Sequence, residues 1–368
     1  MTTYHCSNCH RILPEEFNHR CPTCGGVFDI EKGISFNPDQ IAHNLPRMWR
    51  YRHTFGLPIG APMLSLGEGD TPLIQAQAFG REVSFKLEYL NPTGSFKDRG
   101  TAPTLSYVLS QKITEAVEDS SGNAGASFAA YAARAGIKGR VYVPDYASGP
   151  KRSQIEAFGA DVVRIVGPRS AAAEAVRKAV EDEGAAYASH AYLPHGLTGY
   201  ATIAYELIEQ MEVPPVTVIA PVGHGSLLLG IARGFEALKK VGTIDEIPRL
   251  IGVQARACAP LWAVSEMGAA GLSWMTEGQT VAEGVRVKNP VHGDALLQFL
   301  QEHGGQIVAV EEEDILPGRN SLAKLGFYVE PTSAIVWPAL ETLKEELSGP
   351  VVVILSGNGL KASYEPAK

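Results

Sequence analysis

From about Leu66 onward, short apolar runs alternate with longer stretches whose apolar positions recur at helical spacing. Val83–Leu87, Gly139–Val143, Asp161–Val166, Thr217–Pro221, Leu250–Gln254, Gln306–Val310 and Val351–Leu355 read as strands. Between them Ser127–Ala135, Ser170–Glu183, Thr202–Met211, Gly230–Lys240, Ile315–Leu325 and Ser333–Leu347 read as amphipathic helices, many of them Ala-rich. Strands interleaved with helices predict mainly parallel, twisted sheets joined by crossover helices, an α/β fold. Ligands in such sheets sit beyond the carboxyl ends of the strands, so chemistry is sought where a strand passes into a Gly/Ser-rich turn. The chain carries no solenoid-type repeat and no low-complexity tract.

Residues 1–30 depart from this rhythm, being rich in Cys and His and punctuated by Pro and Gly. Cys6-Ser-Asn-Cys9 and Cys21-Pro-Thr-Cys24 form two C-x2-C pairs separated by eleven residues. Each pair can set two thiolates on one tight knuckle, and two knuckles supply the four sulfurs of a tetrahedral zinc site. A relic knuckle or oxidisable thiols are the alternatives. With no open position for water, such a zinc is expected to be structural. His5, His10 and His19 flank the knuckles and are expected at the surface rather than as ligands.

Composition narrows the class. At 368 residues, with 45 % hydrophobic and 20 % charged residues, the chain suits two lobes plus an appendage. A net charge of −8 leaves no basic footprint for nucleic acid. No apolar run of about 18 residues predicts a membrane span. The start, Met1-Thr2-Thr3-Tyr4-His5-Cys6, lacks the layout of a secretory signal. Cysteines paired as knuckles, with Cys258 alone, argue against a disulfide framework. A cytoplasmic enzyme acting on a small molecule is expected.

After the strand ending near Leu87 comes Asn91-Pro92-Thr93-Gly94-Ser95-Phe96-Lys97-Asp98-Arg99-Gly100. The Asn-Pro and Thr-Gly pairs predict a sharp turn, Ser95 a helix cap, and a helix from about Phe96. A lysine in a first helical turn meets the positive end of the dipole, which disfavours its protonated form. Desolvated, Lys97 becomes a usable nucleophile toward an aldehyde. A solvated Lys97 paired to Asp98 or Glu88 is the bland alternative.

This string resembles the cofactor-lysine motif of the threonine synthase family, among the fold-type-II enzymes that use pyridoxal 5'-phosphate. The resemblance covers nearly the whole chain, including Gly67-Glu-Gly-Asp-Thr-Pro-Leu73 and three loops. It implies a tryptophan-synthase-β-like fold of two lobes. The large cofactor-binding domain is then 31–100 with 205–368, and the small mobile domain 101–204. It also implies a homodimer, and a Lys97 that holds the cofactor as an imine and later moves the substrate's α-proton.

The first loop, Ser120-Ser121-Gly122-Asn123-Ala124, precedes a helix and offers N–H groups to an anion such as an amino acid's carboxylate. By resemblance, Ser120, Ser121, Gly122 and Ala124 hold that carboxylate and Asn123 meets the cofactor's ring hydroxyl. The second, Gly223-His224-Gly225-Ser226-Leu227, has the glycines and consecutive N–H groups of a phosphate nest. The resemblance makes it the pocket of the cofactor phosphate. In the third, Ser356-Gly-Asn-Gly359, the resemblance sets the Ser356 hydroxyl at the pyridine nitrogen, which leaves that nitrogen largely unprotonated.

The pattern departs from threonine synthase where that family grips a substrate phosphate. Ala124 follows Asn123 in place of threonine, Ser189-His190 replaces an Asn-Ser pair, and Gly196 stands where an arginine is expected. His190, His195 and Arg152 are the candidate replacements. Thr280-Val-Ala-Glu283-Gly284-Val285 resembles instead the segment beside the cofactor in serine/threonine dehydratases. The expected function is a threonine-synthase-like lyase turning O-phosphohomoserine into threonine. The alternatives are a serine/threonine dehydratase, a β-replacement enzyme, and a non-catalytic amino-acid-binding module.

Overall fold

The computed structural model describes residues 3–30, 33–146, 149–167, 169–275 and 278–362; Met1 and Thr2 of the chain start lie outside them. In chain order the strands are β1 (Tyr4–Cys6), β2 (Phe28–Ile30), β3 (Leu73–Ala78), β4 (Arg81–Lys86), β5 (Glu115–Glu118) and β6 (Lys138–Pro144). They continue with β7 (Asp161–Ile165), β8 (Ala186–Tyr187), β9 (Thr217–Pro221), β10 (Arg249–Ala255), β11 (Gln306–Val310) and β12 (Val351–Ile354). Packing divides the chain into two units, 1–69 with 91–199 and 70–90 with 200–368.

The first unit carries a four-stranded sheet in the order β7-β6-β5-β8, parallel throughout. Its core includes Leu105, Val108, Phe128, Tyr131 and Val141, and Met48, Trp49, Phe55 and Leu64 join the same cluster. Burying such side chains stabilises by about 1.5–3 kcal/mol each. That burial joins the stretch from Met48 to Leu64 to this unit, whereas the sequence placed it with the large domain. The knuckle hairpin β1–β2 belongs here too: Phe17 stacks on Tyr107, and the Tyr4 hydroxyl donates to the carbonyls of Phe55 and Gly56.

The second unit carries a six-stranded sheet, β11-β10-β9-β12-β4-β3, parallel except for β3 against β4. Every position of β9 and β12 is buried, as central strands covered on both faces require. Val83, Phe85, Ile219, Val253, Val353 and Leu340 pack in its main cluster.

Four helices begin earlier than their apolar rhythm suggests, at Asn123, His195, Ser226 and Glu312; at Asn123 and Ser226 small residues form the first turns. The stretch expected as one helix over Ser333–Leu347 is two, Pro331–Ala334 and Val336–Leu343. Pro338 has no N–H to return to Ala334, which explains the break.

Candidate active site

The lysine turn is built by its neighbour. Lys97 opens the helix Lys97–Ser110, and its ammonium lies 4.8 Å from the centre of the Phe96 ring. Buried Asp98 accepts from the Thr93 backbone N–H at 2.7 Å, the Thr93 hydroxyl at 2.6 Å and the Ser127 hydroxyl at 2.6 Å. Ser127 lies on the helix Asn123–Ala135, so this carboxylate joins the lysine turn to the Ser-Gly-Asn loop. Ser95 does not cap the helix. The cap position is Phe96, and the buried Ser95 hydroxyl meets no hydrogen-bond partner among the described residues.

In the Ser-Gly-Asn loop the Ser120 hydroxyl accepts from the Gly122 N–H at 3.2 Å, and Asn123 is the first residue of its helix. A Cβ on Gly125 would lie 1.8 Å from the Ser120 carbonyl oxygen, so only glycine lets the helix approach the loop this closely. Nothing in the spacing had marked Gly125 or Ser127. A hydroxyl inside an Ala-rich helix was the available signal.

Glu118 ends β5 just before this loop. It is fully buried, and His190 Nδ1 stands 2.6 Å from its Oε1, while the His190 backbone N–H donates to Oε2 at 3.2 Å. Burial is the main cause that pushes the Glu118 carboxyl up to about 7; hydrogen bonds from Asp119 and His190 and the charge of Lys97 oppose it. Of the other candidate replacements, His195 is wholly buried between the rings of Tyr4 and Tyr107, at 4.9 and 4.0 Å, and Arg152 pairs with Glu156 on its own helix. Burial holds His195 down to about 3, so it stays neutral. Its complete burial leaves His195 unplaced as a phosphate ligand.

The residues expected to hold the cofactor's phosphate and ring nitrogen lie in the second unit. Because β9 and β12 are parallel neighbours, the loops after Pro221 and Ile354 leave the same sheet edge side by side. Gly225 has φ +91°, and a Cβ on Gly223 would lie 2.9 Å from the Gly284 carbonyl oxygen. The Thr280–Val285 segment thus closes against the glycine nest. Ser226 opens the helix Ser226–Lys240, and its buried hydroxyl has no hydrogen-bond partner among the described residues. An unsatisfied buried hydroxyl at a helix start, beside backbone N–H groups, fits a phosphate.

Several supports were not anticipated. Buried Gln254 holds the nest, donating to the Val222 carbonyl at 3.3 Å and accepting from the Leu261 and Trp262 N–H groups. Its signal was a polar residue inside an apolar strand. The Ser333 hydroxyl accepts from the Ser356 N–H at 2.9 Å, and the Glu330 N–H donates to the Gly357 carbonyl at 3.0 Å.

At the N-terminus Cys6 Sγ lies 3.4 Å from Cys24 Sγ and Cys9 Sγ 3.6 Å from Cys21 Sγ, with all four sulfurs within 4.8 Å of one another. A tetrahedral zinc sets its sulfurs about 3.8 Å apart, so the cluster is compatible with that ion. His19 is part-buried, its ring 4.9 Å from that of Tyr187.

Residues 64–357 match a family described as "Pyridoxal-phosphate dependent enzyme". The chain belongs to this family. Within it the chain belongs with the threonine synthases, being 31 % identical to that of Methanocaldococcus jannaschii across 99 % of this chain and 95 % of that one. It is 33 % identical to the threonine synthase of Synechocystis sp. over 82 % of this chain and 79 % of that one. Its fold resembles the threonine deaminase of T.th., with a TM-score of 0.67, 28 % identity, and coverage of 80 % of this chain and 94 % of that one. Maize serine racemase shares the fold at TM-score 0.67 and 21 % identity, covering 78 % of this chain and 88 % of that one. The expected fold-type-II architecture and pyridoxal-phosphate lyase class stand. No helix among the described residues is long and apolar enough to cross a membrane.

Proposed function

We propose that this chain removes the α-proton of a small amino acid and expels a group from its side chain, as a lyase of the threonine synthase type. Lys97, held in one frame with the Ser-Gly-Asn loop by Asp98, is the observation that carries this reading. Pyridoxal phosphate, when bound, delocalises the electron pair left at the α-carbon. Lys97 would anchor it covalently and then move the substrate's α-proton. Gly223, His224, Gly225, Ser226 and Leu227 would hold its phosphate, Asn123 its ring hydroxyl and Ser356 its ring nitrogen. N–H and hydroxyl groups of Ser120, Ser121, Gly122 and Ala124 would hold the substrate carboxylate.

A threonine synthase takes O-phosphohomoserine to threonine and phosphate; a deaminase takes threonine to 2-oxobutanoate and ammonia. Ala124 and Gly196 supply neither a hydroxyl nor a charge for a substrate phosphate, and this favours the second reaction as the alternative. Product release from the two substrates separates them. Lys97→Ala is expected to leave no cofactor-modified peptide after borohydride treatment and to lower turnover by about 10³ or more. Retained covalent cofactor in that variant would defeat the reading.

Cys6, Cys9, Cys21 and Cys24 would carry a structural zinc, and their free thiols suit the cytoplasm. A homodimer and a mobile smaller domain complete the proposal by resemblance to the family. Sedimentation tests the dimer.

A further inference from the structure

The Gly67-Glu68-Gly69 string turns back on itself, its glycines at φ +93° and +86°, and Glu68 is fully buried. Four donors converge on that carboxylate. Trp49 Nε1 donates to Oε1 at 2.6 Å. The Tyr131 hydroxyl at 2.5 Å, the Leu66 N–H at 2.9 Å and the Ser65 hydroxyl at 3.3 Å donate to Oε2. Burial, and then the charges of Asp98 and Glu68, keep the Tyr131 hydroxyl protonated and so a donor.

From Glu68 two polar paths lead to the lysine turn. Along one, Tyr131 stands four residues after Ser127 on the helix Asn123–Ala135, hence on the same face, and the Ser127 hydroxyl donates to Asp98, which also holds Thr93. Along the other, the N–H of Gly69, next in the chain, donates to Asn91 Oδ1 at 2.9 Å. Asn91 and Thr93 belong to one turn, so the two paths close a ring whose side chains are all buried. Lys97 lies in the arc between Asn91 and Asp98, and its carbonyl accepts from the Thr101 hydroxyl at 3.0 Å.

Resting on the reading of Lys97 as the cofactor's anchor, we propose that Glu68 is a positioning residue for that lysine, fixing its turn from both sides through the ring. A buried carboxylate is costly unless donors surround it, so Glu68 holds its four partners in one arrangement. A turn tied at one end can swing, whereas one tied at both ends moves only by breaking a bond.

Tyr131→Phe opens one side of the ring and leaves Glu68 three donors; Asn91→Ala opens the other. In the chain loaded with pyridoxal phosphate, each is expected to raise the pH midpoint of the visible band by about half a unit or more, because a loosened turn admits water and favours the charged amine. The double variant is expected to move it no further, since a ring cut once is already open. Val141→Ala, a cavity in the same core, is expected to lower Tm and leave the midpoint where it was. In the unloaded chain both ring variants are expected to speed amide exchange over residues 91–98 by roughly fivefold or more. A midpoint or an exchange rate unmoved by either cut overturns the assignment, as does an additive double variant or an equal shift in Val141→Ala. A wild-type chain that stays colourless with pyridoxal phosphate sinks the lyase reading and this assignment together, whereas coloured variants with an unmoved midpoint sink this one alone.

Discussion

Both units bury a glutamate, and they satisfy it in different ways. In the second unit Glu206 faces the fully buried Lys86 at 2.8 Å and accepts from the Asp70 N–H at 2.7 Å. Lys86 also donates to the Thr71 carbonyl and to Gln210, so this fixed charge pair is surrounded by bonded polar groups and pins the loop at 70–71 to its sheet. In the first unit Glu118 faces the His190 imidazole at 2.6 Å, and burial pushes its carboxyl up to about 7. A cationic partner with further bonds makes a frame, while a carboxyl raised by burial makes a group whose charge depends on pH.

Breaking the frame should have the largest effect on stability. Lys86→Met leaves Glu206 buried against an apolar chain and is expected to lower unfolding free energy by about 3–5 kcal/mol in denaturant titrations. A loss below about 1 kcal/mol would mean that the pair does not support the fold.

The site should show itself instead in pH dependence. Glu118, raised from 4.5 to about 7, holds its proton more tightly folded than unfolded. Its stabilising contribution is whole below the lower value and is lost as pH rises through the upper one, roughly 3 kcal/mol at most. His195 has the opposite sign: held down to about 3 from 6.5, its contribution is whole above 6.5 and is lost as pH falls through about 3. Glu118→Gln is therefore expected to flatten the neutral side of the stability profile, and His195→Phe the acid side. His190, Asp119, Lys97 and Tyr187 surround Glu118, so the comparison is made at constant salt. Parallel profiles for wild type and variants would refute both assignments.

The smallest effect is expected at the knuckle. Chelation should release about one zinc per chain and lower Tm by only a few degrees, because Tyr4, Phe17 and His19 hold the segment by packing as well. Absence of zinc after purification in zinc-supplemented medium would remove the metal assignment.

How much was readable depended on the kind of element. β9 and β11 match their predicted bounds because unbroken apolar runs in a parallel sheet have few other readings. Strands β3, β5 and β8 went unnoticed. β3 carries two glutamines at an edge, β5 has glutamate at both ends, and β8 has two residues. Lys97 and the glycine nest were legible because a turn and a helix start need particular residues in order. Ser127 and Gln254 were not, because each is defined by an atom brought close from elsewhere in the chain.

The sequence alone determined the parallel α/β plan, the knuckle cysteines and the local strings that bear chemistry, since spacing and turn geometry act between near neighbours. Only the tertiary structure decided that Asp98 ties the lysine turn to the Ser-Gly-Asn helix, that residues 31–69 pack with the smaller sheet, and that Glu118 meets His190. Those outcomes depend on which buried groups find partners across tens of residues, a balance of desolvation against pairing that no local pattern records.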